Sequence, residues 1–175
     1  TSRIPALNTV CQTWGSSNLA ITNFNGESFG VWFPETFSRV LIDAPCSMES
    51  LRVSDARPPR PITIAERARL ALRQQALLES ALRAVKVGGE VVYSTCTMAP
   101  EEDEEVIENL LAQYPGTFEV TQVHDQPRSA FALPGFQGKD YPKEIQHAWR
   151  VWPYTFNTNG FFAVLLTKKD HEKAI

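Results

Sequence analysis

VVYSTCTMAPEEDEE occupies residues 91–105. A strand-like apolar run breaks at Tyr93-Ser94-Thr95-Cys96, and five carboxylates follow within six residues, opened by Pro100. Proline at the start of an acidic run marks the first turn of a helix. The stretch therefore reads as strand, short loop, helix, with a thiol at the turning point. The near-continuous apolar start, Val91-Val92-Tyr93, fits a strand covered on both faces. A second stretch, RVLIDAPCS at residues 39–47, has the same form: a short apolar strand stops at Pro45, and Cys46 lies just beyond it.

Between them lies a helix with clear punctuation. Thr63 and Glu66 have the spacing of a capping box. Leu70, Leu77/Leu78, Ala81/Leu82 and Val85 supply one apolar face, and Gly88-Gly89 are expected to end it. Upstream, Ile4, Leu7, Val10/Cys11 and Trp14 predict a helix with Cys11 in its core face, and NLAITNFNG (18–26) a short strand and turn. Downstream, the acidic helix is expected to run through Val106, Ile107, Leu110 and Leu111 to about Tyr114. TFEVTQV (117–123) and GFFAVLLTKK (160–169) read as strands. This alternation predicts an α/β sheet with helices on its faces. In such sheets ligands sit at the carboxyl ends of strands, where both cysteine stretches end.

The composition suits one domain: 175 residues, 43% hydrophobic and 21% charged, with a formal net charge of -3. That balance argues against a surface that binds nucleic acid everywhere, but leaves room for a local basic patch. Three cysteines and three histidines without ligand spacing predict reduced thiols, no zinc site and a cytoplasmic setting. No apolar run reaches membrane-spanning length.

The paired motifs carry a resemblance. LIDAPCS, VVYSTCTMAPEEDEEVI and RVWPYTFNTNGFF resemble three motifs of the Sun/Fmu-type RNA cytosine-C5 methyltransferases, nearest to the bacterial enzymes that modify small-subunit ribosomal RNA. The family pattern after its Tyr-Ser-Thr-Cys motif is Pro-Glu-Glu-Asn-Glu; this chain has Pro-Glu-Glu-Asp-Glu, with Asp103 in the asparagine's place. The resemblance implies a Rossmann-like class I methyltransferase fold that takes S-adenosylmethionine as cofactor and RNA as partner, ribosomal more than transfer RNA, with no metal and no membrane. It implies Cys96 as the nucleophile that adds to cytosine C6, Cys46 as the residue that enables product release, and Asp43 as the carboxylate at the base's N3/N4 edge. It places Asn25, Asp43 and Pro45 beside the cofactor, and Ser47, Arg52, Thr95 and Arg150 beside the substrate, with Arg150 and Pro153 bracing the floor of the site.

The family's glycine-rich cofactor loop and its first strands have no counterpart here. Residues 1–175 are accordingly expected to be the C-terminal portion of a single catalytic domain, inactive alone, with incomplete sheet edges. Met48-Glu49-Ser50-Leu51-Arg52-Val53 also departs from the family's loop. A catalytically silent RNA-binding or ribosome-assembly factor is the alternative, and a thiol redox protein a more distant one. For the remaining polar residues, Asp103, Glu104 and Glu105 read as first-turn helix stabilisers, and Glu101 or Glu102 as a possible brace for the loop bearing Cys96. Arg57 and Arg60 join Arg52 as candidate phosphate contacts. Trp149, Trp152, Tyr154 and Phe156 read as packing against the sheet, with base stacking as the other role.

Overall fold

The computed structural model describes residues 3–50 and 61–169. Its elements follow as α1 (Arg3–Thr13), a 3-10 turn (Gly26–Ser28), α2 (Phe29–Trp32), β1 (Phe37–Asp43), α3 (Ile64–Ala84), β2 (Val85–Thr95), a 3-10 turn (Pro100–Glu102), α4 (Glu104–Gln113), β3 (Phe118–Val120), the small hairpin β4 (Gly135–Phe136) and β5 (Lys139–Asp140), β6 (Trp149–Val151), α5 (Pro153–Phe156) and β7 (Phe161–Lys168).

The main sheet runs β1-β2-β7-β3, with β6 also on β7. β1 and β2 are parallel, Asp43 opposite Ser94, and α3 is their crossover. β7 runs antiparallel to β2, β3 and β6. β6 takes the first residues of one β7 edge, Arg150 opposite Phe162, and β3 the last, Phe118 opposite Lys168.

α3 begins as its capping residue dictates, with Thr63 Oγ1 accepting the Glu66 backbone N–H at 3.1 Å. Leu78 and Leu82 from α3, Ile107 and Leu110 from α4, and Val91, Tyr93, Phe162, Val164 and Leu166 from the strands form the core. Several of these have no exposed surface, so truncating one such as Leu82 to alanine costs about 2–5 kcal/mol. α2 lies against α3 where Gly30 N–H donates to Ser80 Oγ at 2.9 Å. A Cβ on Gly30 would stand 2.3 Å from the Ser80 carbonyl oxygen, so only glycine allows this approach.

Several expectations are corrected. α3 stops at Ala84, four residues before Gly88, and passes straight into β2. The Val85 carbonyl accepts from Lys168 Nζ at 3.1 Å, which ties the junction to β7. Gly88, at φ +75°, and Gly89 lie inside β2, where the pairing with β1 jumps from Phe37/Val85 to Arg39/Glu90. The glycines make a bulge there, not a helix stop. β7 alternates between buried and half-buried residues from Phe162, and β2 does so from Glu90 to Tyr93, so one face is only half covered there, whereas Tyr93, Ser94 and Thr95 are buried in succession at the end that leads to Cys96. Residues 18–25 form no strand and pair with no strand among the described residues. α1 buries none of its residues, so Cys11 is half-buried and not in a core. The acidic helix is split: Asp103, at φ -115° and ψ -96°, separates the 3-10 turn from α4.

Candidate active site

Parallel pairing brings the carboxyl ends of β1 and β2 side by side, and the pairing continues one step further, with Ala44 N–H donating to the Ser94 carbonyl at 2.9 Å. Two residues on in each chain segment, Cys46 and Cys96 meet: their sulfurs are 3.3 Å apart and both residues are half-buried. Each cysteine is followed by a hydroxyl, and these hydroxyls also meet, Ser47 Oγ and Thr97 Oγ1 at 2.8 Å. The two turns are thus zipped together behind the thiols.

Burial is the main cause that pushes the Cys46 thiol up from its ordinary 9.0 to about 12, with its contact to Cys96 next. Cys46 therefore keeps its proton at neutral pH and can donate it toward the Cys96 sulfur. Asp43 is exposed at the end of β1. It borders a groove of about 300 Å³ floored by Phe29, Val40, Leu41 and Ile42, with Gly26 on its rim. Asn25, the residue before Gly26, is exposed. Its carbonyl starts the 3-10 turn by accepting from Ser28 N–H at 3.2 Å, leaving the amide outside that turn.

Beneath the thiols lies a polar layer. Arg150 has no exposed surface. Its Nε donates to Glu104 Oε1 at 2.8 Å, Nη2 pairs with Glu104 Oε2 and with Asp103 Oδ2 at 3.1 Å, and Nη1 donates to the Met98 carbonyl at 3.1 Å. Thr95 Oγ1 donates to Asp103 Oδ1 at 2.6 Å. Burial raises Asp103 well above the usual carboxylate range, although Arg150 and Thr95 oppose it. Trp152 lies over the other side of the guanidinium, which is 5.2 Å from its ring centre. Ser50 closes the far side: its hydroxyl reaches the Cys96 carbonyl at 2.5 Å and the Gly160 carbonyl at 2.9 Å. A Cβ on Gly160 would lie 2.5 Å from Met98 Sδ and 2.7 Å from Ser50 Cβ, so the closing Gly-Phe-Phe must begin with glycine.

The expected residues thus fall into three places. Cys46 and Cys96 are together, with Asp43 at the neighbouring strand end. Pro45 is half-buried, its carbonyl held by Gln74 Nε2 at 2.9 Å. Ser47, Thr95 and Arg150, expected beside the substrate, are buried and bonded within the protein; they stand behind the thiols. Arg52, Arg57 and Arg60 lie outside the described residues. Asp103 and Glu104 do not decorate a first helical turn in solvent: both are fully buried around Arg150. Among the aromatics, Trp149 and Trp152 are half-buried, but Tyr154 is 81% exposed and Phe156 is exposed too, against the packing expected of them.

Sequence reasoning missed Gln74, whose amide also reaches Glu102 Oε2 at 2.9 Å. A signal was present. Ala71, Gln74, Leu78 and Ala81 have the spacing of one helical face, and a lone amide in an apolar stripe needs a buried partner. Glu102 does brace a thiol loop, but its carboxylate binds the Cys46 loop, at Ser47 N–H, 3.0 Å away. Among the described residues no group of three or more His, Cys, Asp or Glu is placed to hold a metal, and no helix is long and apolar enough to cross a membrane.

Comparison with known proteins gives this arrangement its relatives. Ribosomal RNA small subunit methyltransferase F of Aeromonas hydrophila subsp. hydrophila is 36% identical over 167 residues, covering 95% of this chain and 33% of the relative. The protein of the same name from Erwinia tasmaniensis is 36% identical with the same coverage. The chain spans about a third of the length of these curated relatives. A crystal structure described as a methyltransferase homolog protein from Pyrococcus horikoshii matches with a TM-score of 0.76 at 27% identity, over 95% of this chain and 50% of that one. NSun6 from the same organism, solved with SFG, has a TM-score of 0.75 at 20% identity, a likeness of fold alone. The fold is thus Rossmann-like, of the methyltransferase kind. A family model described as 16S rRNA methyltransferase RsmB/F matches residues 1–167, and this chain belongs to that family.

Proposed function

We propose that this chain carries the two-thiol centre of an S-adenosylmethionine-dependent RNA cytosine-C5 methyltransferase, working in the cytoplasm on ribosomal rather than transfer RNA. We propose too that residues 1–175 are the C-terminal portion of its catalytic domain and inactive alone. The observation that carries the reading is the 3.3 Å contact of Cys46 and Cys96 at neighbouring strand ends, beside the exposed carboxylate of Asp43.

The chemistry needs that grouping. Cytosine C5 is too weak a nucleophile to take a methyl group unaided. In the proposed reaction the Cys96 thiolate bonds to C6, and the C5–C6 π electrons move to C5, which can then attack an electrophile. Asp43 hydrogen-bonds the N3/N4 edge, where charge develops. After methylation C5 must lose its proton, and those electrons re-form C5–C6 while the C6–sulfur bond breaks. Cys46, whose proton is held tightly, is a poor competitor for C6; it can pass that proton to the departing Cys96 sulfur, 3.3 Å away, while its own sulfur takes the proton leaving C5, which suits release and not attack.

S-adenosylmethionine, when bound, supplies the electrophilic methyl group on a sulfonium sulfur. The apolar groove beside β1, lined by Gly26 and Asp43, with Asn25 next to Gly26 in the chain and Pro45 just past the strand end, fits one wall of a nucleoside cleft. Those three residues would hold the cofactor.

The test is a covalent adduct. In the full-length protein, Cys46→Ala should trap RNA on denaturing gels, and Cys46→Ala/Cys96→Ala should trap none. A Cys46→Ala protein that binds RNA yet leaves no adduct would sink the assignment and favour an RNA-binding assembly factor without methylating activity.

A further inference from the structure

We propose that Gln74 and Glu102 are positioning residues that hold the Cys46 turn in register with Cys96. Cys46 is flanked by Pro45 and Ser47, and each neighbour is tied to this pair from below. Gln74 Nε2 donates to the Pro45 carbonyl at 2.9 Å, and Ser47 N–H donates to Glu102 Oε2 at 3.0 Å. Gln74 Nε2 also donates to that same carboxylate oxygen at 2.9 Å, which closes a ring of hydrogen bonds under the cysteine. Neither side chain has any exposed surface. Both come from elements already fixed by the core: Gln74 from α3, next to Leu78, and Glu102 from the turn whose carbonyl accepts Tyr93 O–H at 2.7 Å.

The design is costly for a merely structural clip. Glu102 Oε1 has no hydrogen-bond partner, and its nearest cation, Arg67 Nε, is 4.0 Å away. Apolar packing would close the turn without burying a carboxylate. A carboxylate oxygen that receives two directed donors does what packing cannot: it sets the rotation of the Pro45-Cys46 and Cys46-Ser47 peptides, and so where Sγ points. Ser47 Oγ and Thr97 Oγ1 then align the second turn with the first.

The inference rests on the two-thiol reading only for its effect on turnover, and its test does not use methylation. Phenylarsine oxide joins two neighbouring thiols through arsenic and releases one water, so its affinity reports whether both sulfurs are held close. The full-length protein should bind one arsenical between Cys46 and Cys96, and Cys46→Ser should lose that binding. Gln74→Met removes both amide donors without adding charge; it should bind the arsenical at least tenfold more weakly while keeping a cooperative melt. Glu102→Gln retains an acceptor oxygen and should stay within about threefold of the parent. Should Gln74→Met fail to melt cooperatively, Gln74→Asn gives the same comparison by shortening the reach. Parent-like arsenical affinity in a folded Gln74 variant would overturn the proposal. Loss of affinity upon Gln74 substitution, in a protein whose Cys46→Ala form traps no RNA, would uphold it and overturn the methylation reading instead.

Discussion

Cys46 and Cys96 are chemically the same side chain, each just past a strand end, and the fold sets how tightly Cys46 holds its proton. At pH 8 an ordinary thiol is about a tenth ionised, whereas Cys46, pushed up to about 12, is ionised to about one part in ten thousand. Iodoacetamide at pH 8 should therefore label Cys46 far more slowly than a free thiol, with labelling rising steeply toward pH 12; peptide mass spectrometry reads this directly. Parity with a free thiol would contradict the burial of Cys46. The linkage has a definite sign. An acid whose folded pKa is raised keeps its proton in the fold, so its stabilising effect is full below about pH 9 and declines from there through about pH 12. Both cysteines were legible as strand-end thiols from residues 39–47 and 91–105. That Cys46 stays protonated was not, because this depends first on burial by the packed fold and then on the other sulfur, fifty residues away.

At the scale of elements, the informative one is the start of α4. Its acidic run looks like surface chemistry in sequence, since carboxylates favour helix N-termini. In the fold, Asp103 and Glu104 face inward because β6, pinned to β7 with Arg150 opposite Phe162, carries a guanidinium into the same layer. Arg150→Ala should cost about 3–5 kcal/mol, because it strands two buried carboxylates without their cation. Asp103→Asn should behave in the opposite way at neutral pH. Burial raises Asp103, so the aspartate favours the fold most at acid pH, below the ordinary carboxylate range near 4, and loses that advantage as pH rises. Asparagine, the residue of the family pattern here, can still accept from Arg150 and donate to Thr95. It should raise Tm at pH 7 and change it less, or lower it, at pH 4. Calorimetric scans at the two pH values decide, and a lower Tm at pH 7 would mean that the ionised carboxylate is required.

For the whole molecule, the sheet's open side is the main liability. β1 pairs only with β2 among the described residues, and its outer edge carries Leu41 at 72% exposure, with Phe37 also exposed. An unpaired apolar edge is a template for another strand. This 175-residue chain, prepared by itself, should self-associate, and Leu41→Lys should reduce that in sedimentation velocity; an unchanged oligomer distribution would place the contact elsewhere. The same edge borders the groove lined by Gly26 and Asp43, so pairing at β1 would also alter that groove.

The sequence by itself determined the α/β alternation, the capped start of α3, the strand ends that present Asp43, Cys46 and Cys96, and the motifs shared with the family. These are local properties: periodicity, capping and turn chemistry act over a few residues, so they can be read in order. Tertiary structure alone decided what lies behind the thiols. Gln74 under Pro45, Glu102 under Ser47, Arg150 between Asp103 and Glu104, and Ser50 against Gly160 join residues 29 to 110 positions apart. Their roles follow from which groups lose water together when the sheet and α3 pack. A carboxylate has the same letter whether solvent or a buried guanidinium surrounds it, and only the folded chain sets its surroundings.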